Sequence, residues 1–261
     1  MKGEQTVYDK RLAELALAYE HVLLELSAQP RGDDYRTLHV FEDLLAQYHL
    51  KDQIDLLTLI FMGKFQDAEM ELEPKERFRA YRSKVKCPIC GIGQVSTLDH
   101  YLAKTIYPIY AVTPYNLVPV CKDCNFTKHN SPLDPTCAPL HAYYDEIDSI
   151  IWLKASLIKS AGGIVAEFSV HDSLQEHDPD LCRRLTKHME LYELNRAYAI
   201  QATTEIAENI LFWREKLEVW GKEAFKEYLV EVLASKESYQ RNTWNTALLR
   251  ALIEDVEIVN E

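Results

Sequence analysis

The sequence predicts an α+β fold that is mostly α-helical, with a small core of short strands set between two helical regions and followed by one β-hairpin. Three observations carry this. Apolar residues recur at spacings of three and four toward both ends of the chain, Pro, Gly and Cys crowd between residues 87 and 130, and apolar and polar residues alternate on either side of Ala161-Gly162-Gly163. With 261 residues, 47% of them hydrophobic and 27% charged, the chain can bury the core of one large domain or two modest ones.

Taken in order, Leu12, Leu15, Tyr19, Val22, Leu23 and Leu26 form a first amphipathic stripe that stops near Gln29-Pro30-Arg31-Gly32. Asp33 or Asp34 can cap a second helix, whose apolar face is Leu38, Phe41, Leu44, Leu45 and Tyr48. Ile54, Leu57, Ile60, Phe61 and Phe65 mark a third, and Lys75 to Ser83 continues as a basic helix into the cysteines. From Cys87 the runs shorten: "VSTLDHYLA" reads as one strand, "NLVPVC" as another, and Lys122 to His129 as a short helix. "IIWLKASLIKS" and "IVAEFSV" make the hairpin. Helices return after Asp178, led by Leu181, Leu185, Met189 and Tyr192; then Ile206, Ile210, Trp213 and Leu217; then Phe225, Leu229 and Val232; and last Trp244, Leu248, Leu252 and Val256. Trp152, Trp213, Trp220 and Trp244 sit among apolar neighbours and are expected to anchor the core. The resulting division is a helical region over 1–74, a core over 75–146, and the hairpin with its helical tail over 147–261.

The amino terminus lacks a cationic segment followed by an apolar run, and the uncharged stretch Thr105 to Cys121 is broken by Pro108, Pro114 and Pro119. A soluble, cytoplasmic protein with no membrane contact is the expectation. The net charge of −12 is unevenly spread: Lys75 to Pro135 holds nine basic residues against four acidic, or +5, which leaves −17 for the remainder. That window is the expected anion-facing part, and the acidic flanks are expected to face a protein partner or a second copy of the chain.

Cys87 and Cys90, then Cys121 and Cys124, form two CxxC pairs thirty residues apart. Each CxxC is a tight knuckle that aims two thiolates at one point, and two knuckles complete a tetrahedral zinc shell with no open position. Such a site is structural, because its binding energy folds a segment too short to bury its own core. Cys137 and Cys182 are left as lone thiols, expected to be small buried apolar groups.

Between and just after the knuckles, "LDHYLAKTIYPIYAVTPYNLVPVCKDCNFTK" resembles an HNH endonuclease of the four-cysteine type, the ββα-metal or His-Me finger fold. Residue by residue, Asp99-His100 matches the first strand of that pattern, Asn116 the position before the second knuckle, and Asn125 the position after the last cysteine pair, where Asn also occurs in active members. The resemblance implies a zinc-braced nuclease core that cuts DNA or, as second choice, RNA. His100 would be the general base. Asp99 and Asn125 would hold one catalytic magnesium or manganese ion, Asn116 would tie the strands together, and Lys104 and Lys128 would meet phosphate.

The chemistry asks for those residue types independently. Phosphodiester hydrolysis needs a base for the attacking water, positive charge for the phosphate and help for the departing 3′ oxygen. Imidazole changes charge near neutral pH, and carboxylate and amide oxygens are hard ligands suited to magnesium or manganese. Neighbours on a regular strand point to opposite faces, so Asp99 and His100 can share one site only if the strand twists or bends there. "LHAYYD", Leu140 to Asp145, resembles a stretch that follows such cores, and its His141 and Tyr144 are expected to pack against it. More loosely, the whole layout resembles HNH proteins of bacterial mobile-element and phage-defence loci, some of which work with an ATPase partner as in Septu-type pairs. The competing reading is a non-catalytic zinc module that binds nucleic acid or a protein. A CxxC redox protein would need βαβ surroundings that the sequence lacks.

Overall fold

In the computed structural model, residues 86–106, 116–131, 137–142, 145 and 147–260 are described. The helices expected over 12–83, the whole 1–74 region and Tyr144 lie outside them. The chain divides into two units, Met1–Asp145 and Glu146–Glu261. Helices supply most of the regular structure among the described residues, and the strands form two separate two-stranded antiparallel sheets. The architecture is α+β and mostly helical.

In the first unit, β1 (Thr97–His100) pairs with β2 (Leu117–Val120), with Thr97 opposite Val120 and His100 opposite Leu117. The ladder runs on past β1, where the Tyr101 N–H donates to the Asn116 carbonyl at 2.8 Å. α1 (Lys122–Lys128) follows at once and lies against β1. Cys121 caps this helix, its sulfur accepting from the Cys124 N–H. Tyr101 closes the base of the unit: its hydroxyl donates to the Pro139 carbonyl at 2.6 Å, and its ring sits 4.3 Å from that of buried His141.

In the second unit the hairpin is β3 (Leu153–Ser160) and β4 (Gly163–Val170), turning through Ala161-Gly162. Gly163 sits at φ +121, a conformation open to glycine and strained for other residues. The root of the hairpin is buried through Leu153, Ala155, Ala166 and Phe168. Behind it run α2 (Leu174–His177), α3 (Pro179–Leu191), α4 (Leu194–Trp220), α5 (Lys222–Glu237), α6 (Trp244–Glu254) and a 3-10 turn, Val256–Asn260. α4 and α3 pack on β4, and α6 packs on β3. α4 buries Leu194, Tyr198, Ala202, Ile206, Trp213 and Leu217, a stripe that advances mostly by fours and meets Phe168 edge-on through Tyr198 at 5.5 Å. Thr243 and Thr246 form a reciprocal cap at the start of α6. No helix among the described residues is long and apolar enough to cross a membrane.

Trp220 departs from the core role expected of it. It ends α4 beside Gly221, is 43% exposed, and rests edge-on against Tyr228 at 5.6 Å with the Lys216 ammonium 5.2 Å from its ring. A residue on the last helical turn before a break runs past the surface that would cover it.

The edges of the ribbon are met by side chains. Buried Asn242 accepts from the Trp152 and Leu153 N–H groups at 2.9 and 3.3 Å and donates to the Ile150 carbonyl at 2.7 Å. On the far edge, the Asn195 side-chain oxygen accepts from the Phe168 N–H at 2.8 Å. Asn242→Ala strands three backbone groups, two of them donors in buried bonds. It is expected to cost on the order of 3 kcal/mol, read as an earlier urea transition of the helical signal. A loss below about 0.5 kcal/mol would mean that water replaces the amide.

A four-thiol cluster beside β1 and α1

The two knuckles converge as their spacing requires. Cys87, Cys90, Cys121 and Cys124 are all buried, and their four sulfurs lie within 4.8 Å of one another. Cys90 and Cys121 are 3.8 Å apart, and four sulfurs around zinc at about 2.3 Å have edges of roughly 3.8 Å. The first knuckle closes through Cys87 N–H to the Gly93 carbonyl at 2.7 Å and Gly91 N–H to the Cys87 carbonyl at 2.8 Å. The Ile92 and Gly93 N–H groups point at the Cys90 sulfur, each at 3.5 Å. Donors aimed at sulfur favour the thiolate, so the cluster fits a structural zinc ion held by four thiolates.

Without a cation the thiols divide their protons among themselves. Hydrogen bonding from Cys121 holds Cys90 well below the ordinary thiol range, and Cys124 lowers Cys121 to about 7. Cys87 and Cys124 are pushed up, in both cases first by their hydrogen bonds to Cys121. A dication in their midst removes that competition, since all four can then be thiolates.

Gly93 makes the approach of the knuckles sterically possible. A methyl group there would fall 2.7 Å from Cys121 Cβ and 2.9 Å from its sulfur, closer than packed atoms tolerate. Gly93→Ala is expected to weaken zinc about tenfold or more in competition with a chromophoric chelator, and unchanged affinity would show that the knuckles have slack.

The residues singled out for chemistry gather along the end of β1 and on α1. Asp99 is buried and His100 half-buried, and both keep their places in the ladder, opposite Val118 and Leu117. Alternation along a regular strand sets neighbours on opposite faces, so a site shared by the two depends on the twist of the strand at its end. Asn116 is buried, and its amide clamps Leu102 twice, accepting from that N–H at 2.7 Å and donating to that carbonyl at 3.1 Å. Asn125 lies on the first turns of α1, its side-chain nitrogen 3.4 Å from the Leu98 carbonyl. Lys104 is half-buried in the turn after β1.

Lys128 is not where a phosphate contact belongs. It is 0% exposed, and its ammonium donates to Asp99 Oδ1 at 2.9 Å and to the His100 carbonyl at 2.5 Å. The cause lies in helix geometry: Lys128 is four residues from Cys124, so the face of α1 that delivers a thiol to the cluster also turns Lys128 inward. Burial pulls its pKa down from the usual lysine value, with Asp99 pulling the other way. A charge at this depth persists because it is paired and hydrogen-bonded.

Two further oxygen donors belong to this stretch of β1 and α1. Asp99 has a second carboxylate oxygen, and Asn125 an amide oxygen, both hard ligands. A groove of about 890 Å³ in the second unit is lined by Phe168, His171, Glu176, Cys182, Met189 and Arg196 among others. None of the residues singled out for chemistry lines it.

No family model and no solved structure matches the chain. It is 32% identical over 131 residues to the protein ea31 of Escherichia phage lambda, a stretch covering 48% of this chain and 43% of that protein. The chain thus spans less than half the length of that relative.

Proposed function

We propose that the chain is a metal-dependent HNH endonuclease that hydrolyses phosphodiester bonds of DNA, braced by a structural zinc ion at Cys87, Cys90, Cys121 and Cys124. The observation that carries this reading is the placement of Asp99, His100 and Asn125 along one β1–α1 junction next to a closed four-thiol cluster. In this reading His100 takes the proton of the attacking water as the new P–O bond forms, and the bond to the 3′ oxygen breaks with its electron pair leaving on that oxygen. Asp99 and Asn125 would hold a magnesium or manganese ion, which supplies positive charge for the phosphate and the departing oxygen. Asn116 holds the exit of β1 in register, so it positions the strand that carries His100. Lys104 serves as a phosphate contact.

The second unit carries thirteen basic against twenty-one acidic residues, a net −8, and its surface suits a protein partner or a second copy of the chain better than phosphate. A reducing cytoplasm suits four thiols kept as ligands. A phage-encoded relative fits the mobile-element and phage-defence setting.

One observation favours a non-catalytic zinc module instead: the Asp99 carboxylate is already engaged by Lys128. Supercoiled plasmid incubated with the zinc-loaded protein and magnesium or manganese separates the two readings. The nuclease nicks or linearises it, whereas the module only retards it.

A further inference from the structure

We infer that the Lys128 ammonium and a divalent cation are alternative occupants at Asp99, so the site carries its own cation and the ion enters only as Lys128 withdraws. This rests on the nuclease reading for the identity of the ion and adds a control that the reading does not contain. The ammonium lies between a carboxylate oxygen at 2.9 Å and a backbone carbonyl at 2.5 Å, the hard oxygen surroundings that a divalent ion also seeks. Fully buried lysine is among the rarest arrangements in proteins, and here it neutralises the one buried carboxylate on β1. A dication and an ammonium a few ångströms apart in a buried site repel strongly, so they do not share one carboxylate comfortably.

The fold also offers Lys128 a way out. It is the last residue of α1, and the chain leaves the helix at His129, which sits at φ 48. Withdrawal needs only the final turn to loosen, and helix ends are where local opening is easiest. The seven-residue helix stays anchored at its other end by Cys121 and Cys124.

The test uses the zinc-loaded full chain and manganese alone, followed by the paramagnetic signal of the free ion. Lys128→Met removes the competing charge with little change of shape, and it is expected to bind manganese about tenfold or more tightly than the wild type. Equal or weaker binding, or none by either protein, overturns the inference. Should Lys128→Met fail to fold, amine acylation of the wild type read by mass spectrometry decides. Lys128 should be protected without manganese and labelled with it, while exposed Lys122 is labelled throughout. Protection of Lys128 at saturating manganese overturns the inference. A protein that cuts plasmid under that condition retains the nuclease reading, and one that exchanges Lys128 for manganese but never cuts loses only that reading.

Discussion

Cys121→Ser is expected to release zinc and to dissolve the β1–β2–α1 segment while leaving the second unit folded. Two losses coincide at this residue. The cluster drops to three thiolates, and the sulfur that accepts from the Cys124 N–H at the start of α1 is replaced by a shorter hydroxyl. α1 has only seven residues, far below the length at which a helix holds by itself, and β1 and β2 have four residues each. Structural zinc contributes about 10–16 kcal/mol to small metal-folded peptides, more than this segment can recover from its own core. Zinc affinity should fall more than about 100-fold, beyond the cost of losing a supporting hydrogen bond. Metal analysis would read the loss. Hydrogen exchange over residues 87–106 and 116–131 should accelerate, and the helices of Glu146–Glu261 should keep their protection. A Cys121→Ser protein with full zinc content and unchanged exchange would mean that the cluster is ornamental. Acid should mimic the substitution, because protons compete with zinc for the thiolates.

His100→Ala should abolish plasmid cleavage with zinc content and thermal stability intact. Removing a general base costs roughly 100- to 10,000-fold in rate. The His100 backbone carbonyl that accepts from Lys128 is retained by alanine, so that contact survives the substitution. Asp99→Ala would be a poorer test, since it leaves the Lys128 ammonium buried without its carboxylate, a change that costs about 3–5 kcal/mol. Unchanged cutting by His100→Ala protein would reject His100 as the base and favour either a contaminating nuclease or the zinc-module reading.

The parts of this fold that follow from local pattern are legible in the sequence. Two CxxC pairs imply convergence, alternation on either side of Ala161-Gly162-Gly163 implies β3 and β4, with Gly163 joining β4, and spacings of three and four mark α3 to α6. What escaped is of another kind. The charge of Lys128 predicts a surface position, but its distance of four residues from Cys124 is the stronger determinant. Asn242 and Asn195 look like ordinary turn and helix residues. Their partners lie about 90 and 27 positions away, and no window along the sequence contains such a pairing. Trp220 departs from expectation because composition does not reveal where a helix outruns its cover.

A two-stranded ribbon is nothing but edges, and open strand edges are where foreign strands add and aggregates begin. At the root of the hairpin in the second unit that hazard is met without a third strand. Asn242 spends its oxygen on the N–H groups at the entry of β3, the Arg250 guanidinium reaches the Leu153 carbonyl at 3.5 Å, and Asn195 occupies the Phe168 N–H on the outer side of β4. Three side chains from helices and a loop thus occupy edge positions at the hairpin root, so the resistance of this unit to aggregation rests in part on single polar residues.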